Sequence, residues 1–269
     1  MIKLHFKIIQ FVILIITLFN SSLIFSDENK ILRNLNRVLN GKYDVSLSSK
    51  MASSFETQVK IGFDKTLNDK ILISANYINS LSTYDYAFRT TIFKNRLDAS
   101  EMPINLFYKT AISLESDREV IFGKNDKLNY LHQFIINYKL NQSTNFTILP
   151  TYVHQNLEKT KIEPKGYPWD FYFLGLSIKH LVNKKIEISG TFYNQFINDD
   201  FSAAILKTSY EINLKHTRGL RSYGLSFSNL SSLSSIGLLS DMGMRNTSSL
   251  RVGFQLNQQL EIKNKKNEE

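Results

Sequence analysis

The feature that most limits the fold of this chain is a strict alternation of apolar and polar residues over long segments. Phe134, Ile136 and Tyr138, for example, alternate with Asn137 and Lys139. A period of two residues places apolar side chains on one face of a β-strand and polar side chains on the other. The pattern recurs along the chain and predicts about twelve strands. Their predicted ranges are 43–50, 55–66, 69–79, 84–96, 103–115, 127–140, 143–155, 170–182, 185–197, 203–214, 219–229 and 249–258.

The predicted strands are too long for an ordinary soluble sheet. Strands of globular proteins usually have about 5–6 residues, whereas a tilted strand needs about 9–11 residues to cross a bilayer. Because lipid offers no hydrogen bonds to an open sheet edge, a sheet that spans a membrane must close. The sequence therefore predicts an all-β fold, a closed antiparallel transmembrane β-barrel of the outer-membrane type. A soluble β-sandwich would explain the alternation but not the strand length.

The connections between the predicted strands are short and long in turn. The links after strands 2, 6 and 8 are short and rich in Asn, a common turn residue: Leu67-Asn68, Asn141-Gln142 and Asn183-Lys184. The longest connections follow odd-numbered strands: 116–126, 156–169 and 230–248. Short periplasmic turns and long external loops are typical of outer-membrane barrels. This rhythm predicts an even number of strands, with both ends of the barrel domain on the periplasmic side.

The first residues have the pattern of a secretory signal peptide. Lys3 and Lys7 precede an apolar run over 8–19, which is shorter than the roughly 20 residues of a spanning helix. We expect cleavage after Ser26 and export to the bacterial outer membrane. The predicted organisation is a signal peptide over 1–26, a periplasmic segment over 27–42, the barrel over 43–258 and a polar tail over 259–269.

Composition limits the partners and the chemistry. The chain has 269 residues and a formal net charge of +9, but its Lys and Arg residues are spread singly, and an exported protein does not meet nucleic acid. Cysteine is absent, which excludes disulfides and thiolate metal sites. We expect no cofactor and no metal site. The expected partners are outer-membrane lipid, the barrel-insertion machinery and small solutes.

The polar parity of each strand should face the barrel lumen. The predicted lumen-lining residues are Glu56, Lys60, Arg89, Lys109, Lys139, Lys179, Glu187, Lys207, Glu211 and Arg251. With Asp44, Asp64, Asp85 and Glu115 on the same parity, the lumen carries seven charges of each sign, which is balance rather than a ring of one sign. Eight strands make a filled barrel and 16–18 leave an aqueous channel. Twelve strands predict a narrow pore for small solutes or, alternatively, a non-conducting structural or adhesion barrel with an ion-paired lumen.

A third reading, an outer-membrane hydrolase, has little support. His132, His154 and His180 share the outward parity of their strands, as does the catalytic histidine of outer-membrane phospholipases. Those enzymes have a His-x-Ser pattern, and none of the three histidines here is followed by serine at that spacing. We therefore expect interfacial histidines and no enzyme.

The segment 230–248 is unusually apolar for an external loop. Exposure of that much apolar surface to water is unfavourable, so we expect the loop to cover the barrel mouth or to rest on lipid. A second accessory segment, 31–40, has apolar residues at helical spacing and predicts a short periplasmic helix.

Four stretches resemble one known family. They are ETQVKIGFDKTLNDKILISANYINSLSTYDYAFRTTIFKNR (56–96), HQFIINYKLNQSTNFTILPTYVHQN (132–156), GLRSYGLSFSN (219–229) and LRVGFQLN (250–257). They are similar to the bacterial membrane-bound beta-barrel domain family, whose function is unknown. The similarity spans most of 43–258 and implies a barrel fold, but no activity.

Overall fold

The computed structural model describes residues 41–51, 57–68, 70–79, 82–94, 103–115, 128–155, 170–196, 208–229, 233 and 250–262. These residues form twelve antiparallel strands in one closed barrel. Each strand pairs with the next along the chain, and β12 closes the sheet against β1. Within the described ranges, no helix is long and apolar enough to span a membrane. The predicted fold is confirmed.

The strands are close to the predicted ranges. They are β1 Gly41–Met51, β2 Thr57–Asn68, β3 Ile71–Ile78, β4 Thr83–Lys94, β5 Ile104–Glu115, β6 Leu128–Lys139, β7 Thr144–Gln155, β8 Asp170–Leu181, β9 Ile186–Phe196, β10 Ser209–Arg218, β11 Arg221–Ser228 and β12 Arg251–Ile262. Residues Lys42–Leu260 form one compact unit. The second unit, residues 1–41 and 261–269, lies almost wholly outside the described ranges. The signal peptide, the cleavage site and the helix over 31–40 therefore stay predictions.

The tenth strand is displaced from its prediction. It covers Ser209–Arg218 rather than 203–214, and a tight turn at Gly219 and Leu220 leads into β11. Gly219 has a φ of 60°, a conformation that glycine adopts without a steric cost. The alternation of apolar side chains stops at Leu214, because the outward residues beyond it are polar. The sequence pattern therefore ended this strand four residues early.

Two of the short turns are closed by asparagine side chains, as the sequence predicts. The Asn141 Oδ1 atom accepts hydrogen bonds from the backbone N–H groups of Ser143 and Thr144, both at 2.8 Å. The Asn183 Oδ1 atom accepts equivalent bonds from Lys185 at 2.8 Å and Ile186 at 2.9 Å. These turns lie at the end of the barrel where β1 begins and β12 ends. We call this the terminal end, and the opposite end the loop end.

The outer surface of the barrel is apolar over its middle. Ile61 is 51% exposed and Phe254 is 65% exposed, and both lie on the opposite strand face to inward polar residues such as Lys60 and Gln255. An apolar surface that extends around many strands would be unstable in water. The surface is the one that a bilayer requires.

The buried apolar cluster lies inside the barrel, which the parity of the sequence did not predict. It comprises Ala111, Leu131, Val153, Phe171 and Phe173 on β5 to β8, with Ala87 and Tyr193 packed against it. These residues share the inward parity, toward the loop end of their strands. Apolar side chains therefore fill one side of the lumen in its loop-end half.

Candidate functional site in the barrel lumen

The terminal half of the lumen contains a polar cavity of about 510 Å³, which we call the terminal cavity. Its walls come from β1 to β5 on one side and from β10 to β12 on the other. The lining residues are Asp44, Ser46, Lys60, Asp64, Ser74, Asn76, Ala87, Lys109, Lys215, Thr217, Gly219, Leu220, Arg221, Ser222, Gln255, Asn257 and Gln259. Nearly all are polar, so the cavity is suited to water and hydrophilic solutes.

Cations outnumber acids around this cavity. Lys60, Lys109, Lys215 and Arg221 line it, against the two carboxylates Asp44 and Asp64. The charges of Lys60 and Asp64 both act on the Lys109 ammonium. Positive and negative groups therefore share one electrostatic environment. The predicted lumen charges that line the cavity are balanced, with Lys60 and Lys109 against Asp44 and Asp64, and the excess of cations comes from Lys215 and Arg221, which were not predicted.

The loop-end half of the lumen is packed rather than open. Lys50 of β1 is only 2% exposed, and its Nζ lies 3.2 Å from Glu211 Oε2 on β10. Asn213 Nδ2 donates to the other carboxylate oxygen, Oε1, at 2.9 Å. Arg251 and Ser228 are buried in the same half. This side of the lumen is held by polar contacts.

The opposite side of the loop-end half is held by the apolar cluster and a polar bridge. The rings of Phe171 and Phe173 lie 6.4 Å apart between their centroids. On the next strands, Gln133 Nε2 donates to Thr151 Oγ1 at 2.8 Å. Because these side chains are all buried, we call the loop-end half the narrow half of the lumen, in contrast to the terminal half with its cavity.

The structure brings four of the predicted lumen residues to these two regions. Lys60 and Lys109 line the terminal cavity, and Glu211 and Arg251 lie in the narrow half. Each has the inward parity of its strand. That a solute passes along them stays a prediction.

The other predicted lumen residues are dispersed. Lys179 and Glu187 form an ion pair at 2.8 Å on β8 and β9. The Arg89 guanidinium lies 5.5 Å from the centroid of the Phe107 ring, and Lys139 lies opposite Asn145 near the terminal end of β6. Glu56 and Lys207 lie outside the described residues.

Among the inward cations that sequence reasoning missed are Lys50 and Lys215. Lys50 continues the parity of Asp44 on β1, and Lys215 continues the parity of Glu211 and thus extends β10. Parity alone would have found Lys50. Finding Lys215 required the true end of β10 at Arg218.

The outward histidines are hydrogen-bonded to neighbouring strands. His132 Nδ1 lies 2.6 Å from the Tyr108 hydroxyl, and His154 Nδ1 lies 2.7 Å from Asp170 Oδ1. The Tyr152 hydroxyl donates to the same Asp170 oxygen at 2.7 Å. Such amphipathic side chains are typical of a membrane interface. Within the described ranges, no cluster of three or more His, Cys, Asp or Glu residues is placed to hold a metal ion.

One residue of the long apolar loop is described. The backbone N–H of Leu233 donates to Gln58 Oε1 on the inner face of β2 at 3.0 Å. Residues 230–232 and 234–249 lie outside the described ranges. Whether the loop covers the mouth or rests on lipid therefore stays a prediction.

Comparison with known sequences gives one family. The sequence pattern of the family described as a membrane bound beta barrel domain matches residues 46–260. No curated protein sequence is significantly similar to the chain.

Comparison with solved structures gives outer-membrane proteins of the same architecture. The NanC porin has a TM-score of 0.56 at 12% identity, covering 81% of this chain and 100% of the porin. The KdgM porin has a TM-score of 0.52 at 6% identity, covering 80% and 98%. An outer membrane channel of Pseudomonas putida F1 has a TM-score of 0.52 at 7% identity, covering 82% and 96%. At these identities the likeness concerns the fold.

Proposed function

We propose that this chain, which belongs to the membrane bound beta barrel domain family, is a narrow pore for small hydrophilic solutes in the bacterial outer membrane. The observation that carries the proposal is the terminal cavity, which lies inside a barrel whose outer surface is apolar. A structural barrel of eight strands is filled by its own side chains, whereas wider barrels enclose water. Twelve strands with a polar cavity in the terminal half of the lumen fit a restricted aqueous path.

The fold comparisons support this proposal by analogy. The NanC and KdgM structures are described as porins and the Pseudomonas putida structure as an outer membrane channel. A KdgM structure is described as a complex with disordered oligogalacturonate. Fold alone does not determine function, and the lumen of this chain therefore requires its own test.

The absence of native cysteine makes a direct test simple. Ser74 lines the terminal cavity, and its neighbour Ala75 lies on the outward face of β3. We expect purified mature protein to conduct in planar bilayers. A bulky water-soluble thiol reagent should reduce the current of the Ser74→Cys variant and leave that of Ala75→Cys unchanged. A well-folded barrel without current would contradict the proposal, as would equal effects at the two positions.

The non-conducting barrel remains the second candidate because of the packed loop-end half. The Lys50–Glu211 ion pair and the buried Phe171 and Phe173 rings are the contacts that an ion-paired, structural lumen would have. The same bilayer measurement separates the two candidates. A silent barrel supports the structural role, and a steady current through Ser74→Cys that the reagent reduces supports the pore.

The alternation of short turns and long connections supports one orientation in the membrane. We infer that the terminal end faces the periplasm after removal of residues 1–26, with outer-membrane lipid and the barrel-insertion machinery as partners. A protease-accessible tag after Glu269 on intact cells would contradict this orientation. We propose no hydrolase of the phospholipase type, because His132, His154 and His180 are not followed by serine at the His-x-Ser spacing.

A further inference from the structure

Four polar side chains meet inside the narrow, loop-end half of the lumen. We call them the basic cluster: Lys50, Glu211, Ser228 and Arg251. Arg251 of β12 lies opposite Ser228 of β11, which lies opposite Glu211 of β10. These three residues thus form one row across neighbouring strands. Lys50 of β1 reaches the same row through its ion pair with Glu211.

The basic cluster has more positive than negative charge. Both oxygens of Glu211 are engaged, Oε2 by Lys50 at 3.2 Å and Oε1 by Asn213 at 2.9 Å. Arg251 and Lys60 are close enough to the Lys50 ammonium to repel it. Among the described residues, the ion pairs assign no carboxylate to Arg251. Within the described ranges, one carboxylate therefore compensates Lys50 and none forms an ion pair with the guanidinium.

The cluster is buried and has unused hydrogen-bond donors. Lys50 is 2% exposed, Ser228 is 0% exposed and Arg251 is 8% exposed. Arg251 Nε and Ser228 Oγ have no hydrogen-bond partner within the described part of the chain. A buried polar group without a partner costs about 1–3 kcal/mol, and more when it is charged. Both the charge and the two donors would be satisfied by one acceptor with negative charge.

We propose that the basic cluster binds a small oxyanion, with Arg251 and Ser228 donating hydrogen bonds and Lys50 supplying a second positive charge. Charge-assisted hydrogen bonds from a guanidinium to a carboxylate or phosphate are among the strongest in proteins. This inference rests on the proposed pore, because an anion would reach the site through the lumen. Solutes that carry a carboxylate or a phosphate group are therefore the class that the narrow half selects. Glu211 weakens the binding by repelling the same anion.

Binding is tested on the complete mature protein in a non-ionic detergent. Inorganic phosphate is titrated by calorimetry at constant ionic strength. We expect saturable binding that Arg251→Gln weakens about tenfold or more, the equivalent of one charge-assisted hydrogen bond. Ser228→Ala should weaken it severalfold, and Glu211→Gln should strengthen it. The matched control is Arg218→Gln, an exposed outward arginine at the terminal end of β10, which should leave the affinity unchanged.

Each outcome supports or overturns the site. Absence of saturable phosphate binding by the unmodified protein overturns it, as does equal affinity of Arg251→Gln or, if that variant does not fold, of Ser228→Ala. Acetate that competes with phosphate shows that carboxylates share the site, and acetate that does not compete restricts it to phosphate. If the barrel binds phosphate but does not conduct, the result supports the anion site and contradicts the pore. If the barrel conducts but does not bind phosphate, the result supports the pore and contradicts the anion site.

Discussion

Asp44 on β1 and Asp64 on β2 are direct cross-strand partners on the inner wall of the terminal cavity. Like charges at directly opposed positions of an antiparallel pair destabilise a sheet. The barrel tolerates the pair because the cavity lining is polar and because Lys60 and Lys109 line it as well. Two carboxylates and several cations thus face the same cavity.

The repulsion between Asp44 and Asp64 predicts that substitutions of the two residues are not additive in a double-mutant cycle. Asp44→Asn or Asp64→Asn alone should remove the repulsion and raise the free energy of unfolding by about 0.2–1 kcal/mol. The double substitution should add little to either single one. The free energies are measured by denaturant unfolding of the barrel in detergent micelles. Additive or destabilising single effects would show that the neighbouring lysines, rather than repulsion, determine the energy of the pair.

The orientation of each strand predicts which positions reject a charge. Aspartate on the outward face should reduce insertion into liposomes far more than aspartate on the inward face. A charge at the bilayer midplane costs about 2–4 kcal/mol for Lys or Arg and somewhat less for Asp. The outward positions are Ile61, Ile112, Ile188 and Val252, and the inward controls are Gln58, Asn105, Ser189 and Gln255. Equal folding yields for the two sets would contradict the assignment of the faces.

The strand faces could be predicted from the sequence because they depend on a local period of two residues. The contents of the lumen could not. Phe171 and Phe173 have the same parity as Lys179 on β8, yet they are buried among side chains of other strands. Which inward residues pack and which line a cavity depends on the register across the sheet, and register is a non-local property.

The basic cluster illustrates the same limit. Lys50 and Glu211 are 161 residues apart in sequence. They meet only because β12 closes against β1 and brings β10 to β12 beside the first strand. The parity of the strands predicted that Glu211 and Arg251 face inward. Closure of the barrel determined that they share a site with Lys50.

The apolar cluster predicts that the narrow half can be widened. Phe173→Ala should destabilise the barrel by about 3–5 kcal/mol, the usual range for a buried aromatic ring. It should also raise the single-channel conductance, because Phe173 is buried inside the lumen. The matched control is Phe192→Ala on the outward face of β9, which should leave the conductance unchanged. An unchanged conductance in both variants would place the narrowest point of the path elsewhere.

A pair of glycines on neighbouring strands tests the packing around that cluster. A Cβ atom added at Gly175 on β8 would lie 2.9 Å from Leu149 Cβ and would overlap the Tyr193 ring, whereas one added at Gly190 on β9 would meet nothing within 4 Å. Overpacking in a tight interior typically costs about 1–3 kcal/mol. We therefore expect Gly175→Ala to lower the denaturant midpoint and Gly190→Ala to leave it nearly unchanged.

The physical reason lies in the facing of the two residues. Gly175 has the inward parity of β8 and lies directly opposite Tyr193, so the absence of a side chain lets the tyrosine ring lie across the strand. Gly190 has the outward parity of β9, where lipid accommodates an added methyl group. Unfolding is followed by the loss of β-sheet circular dichroism in detergent. Equal midpoints for the two variants would mean that Tyr193 moves away at no cost and that the inner wall is looser than its burial indicates.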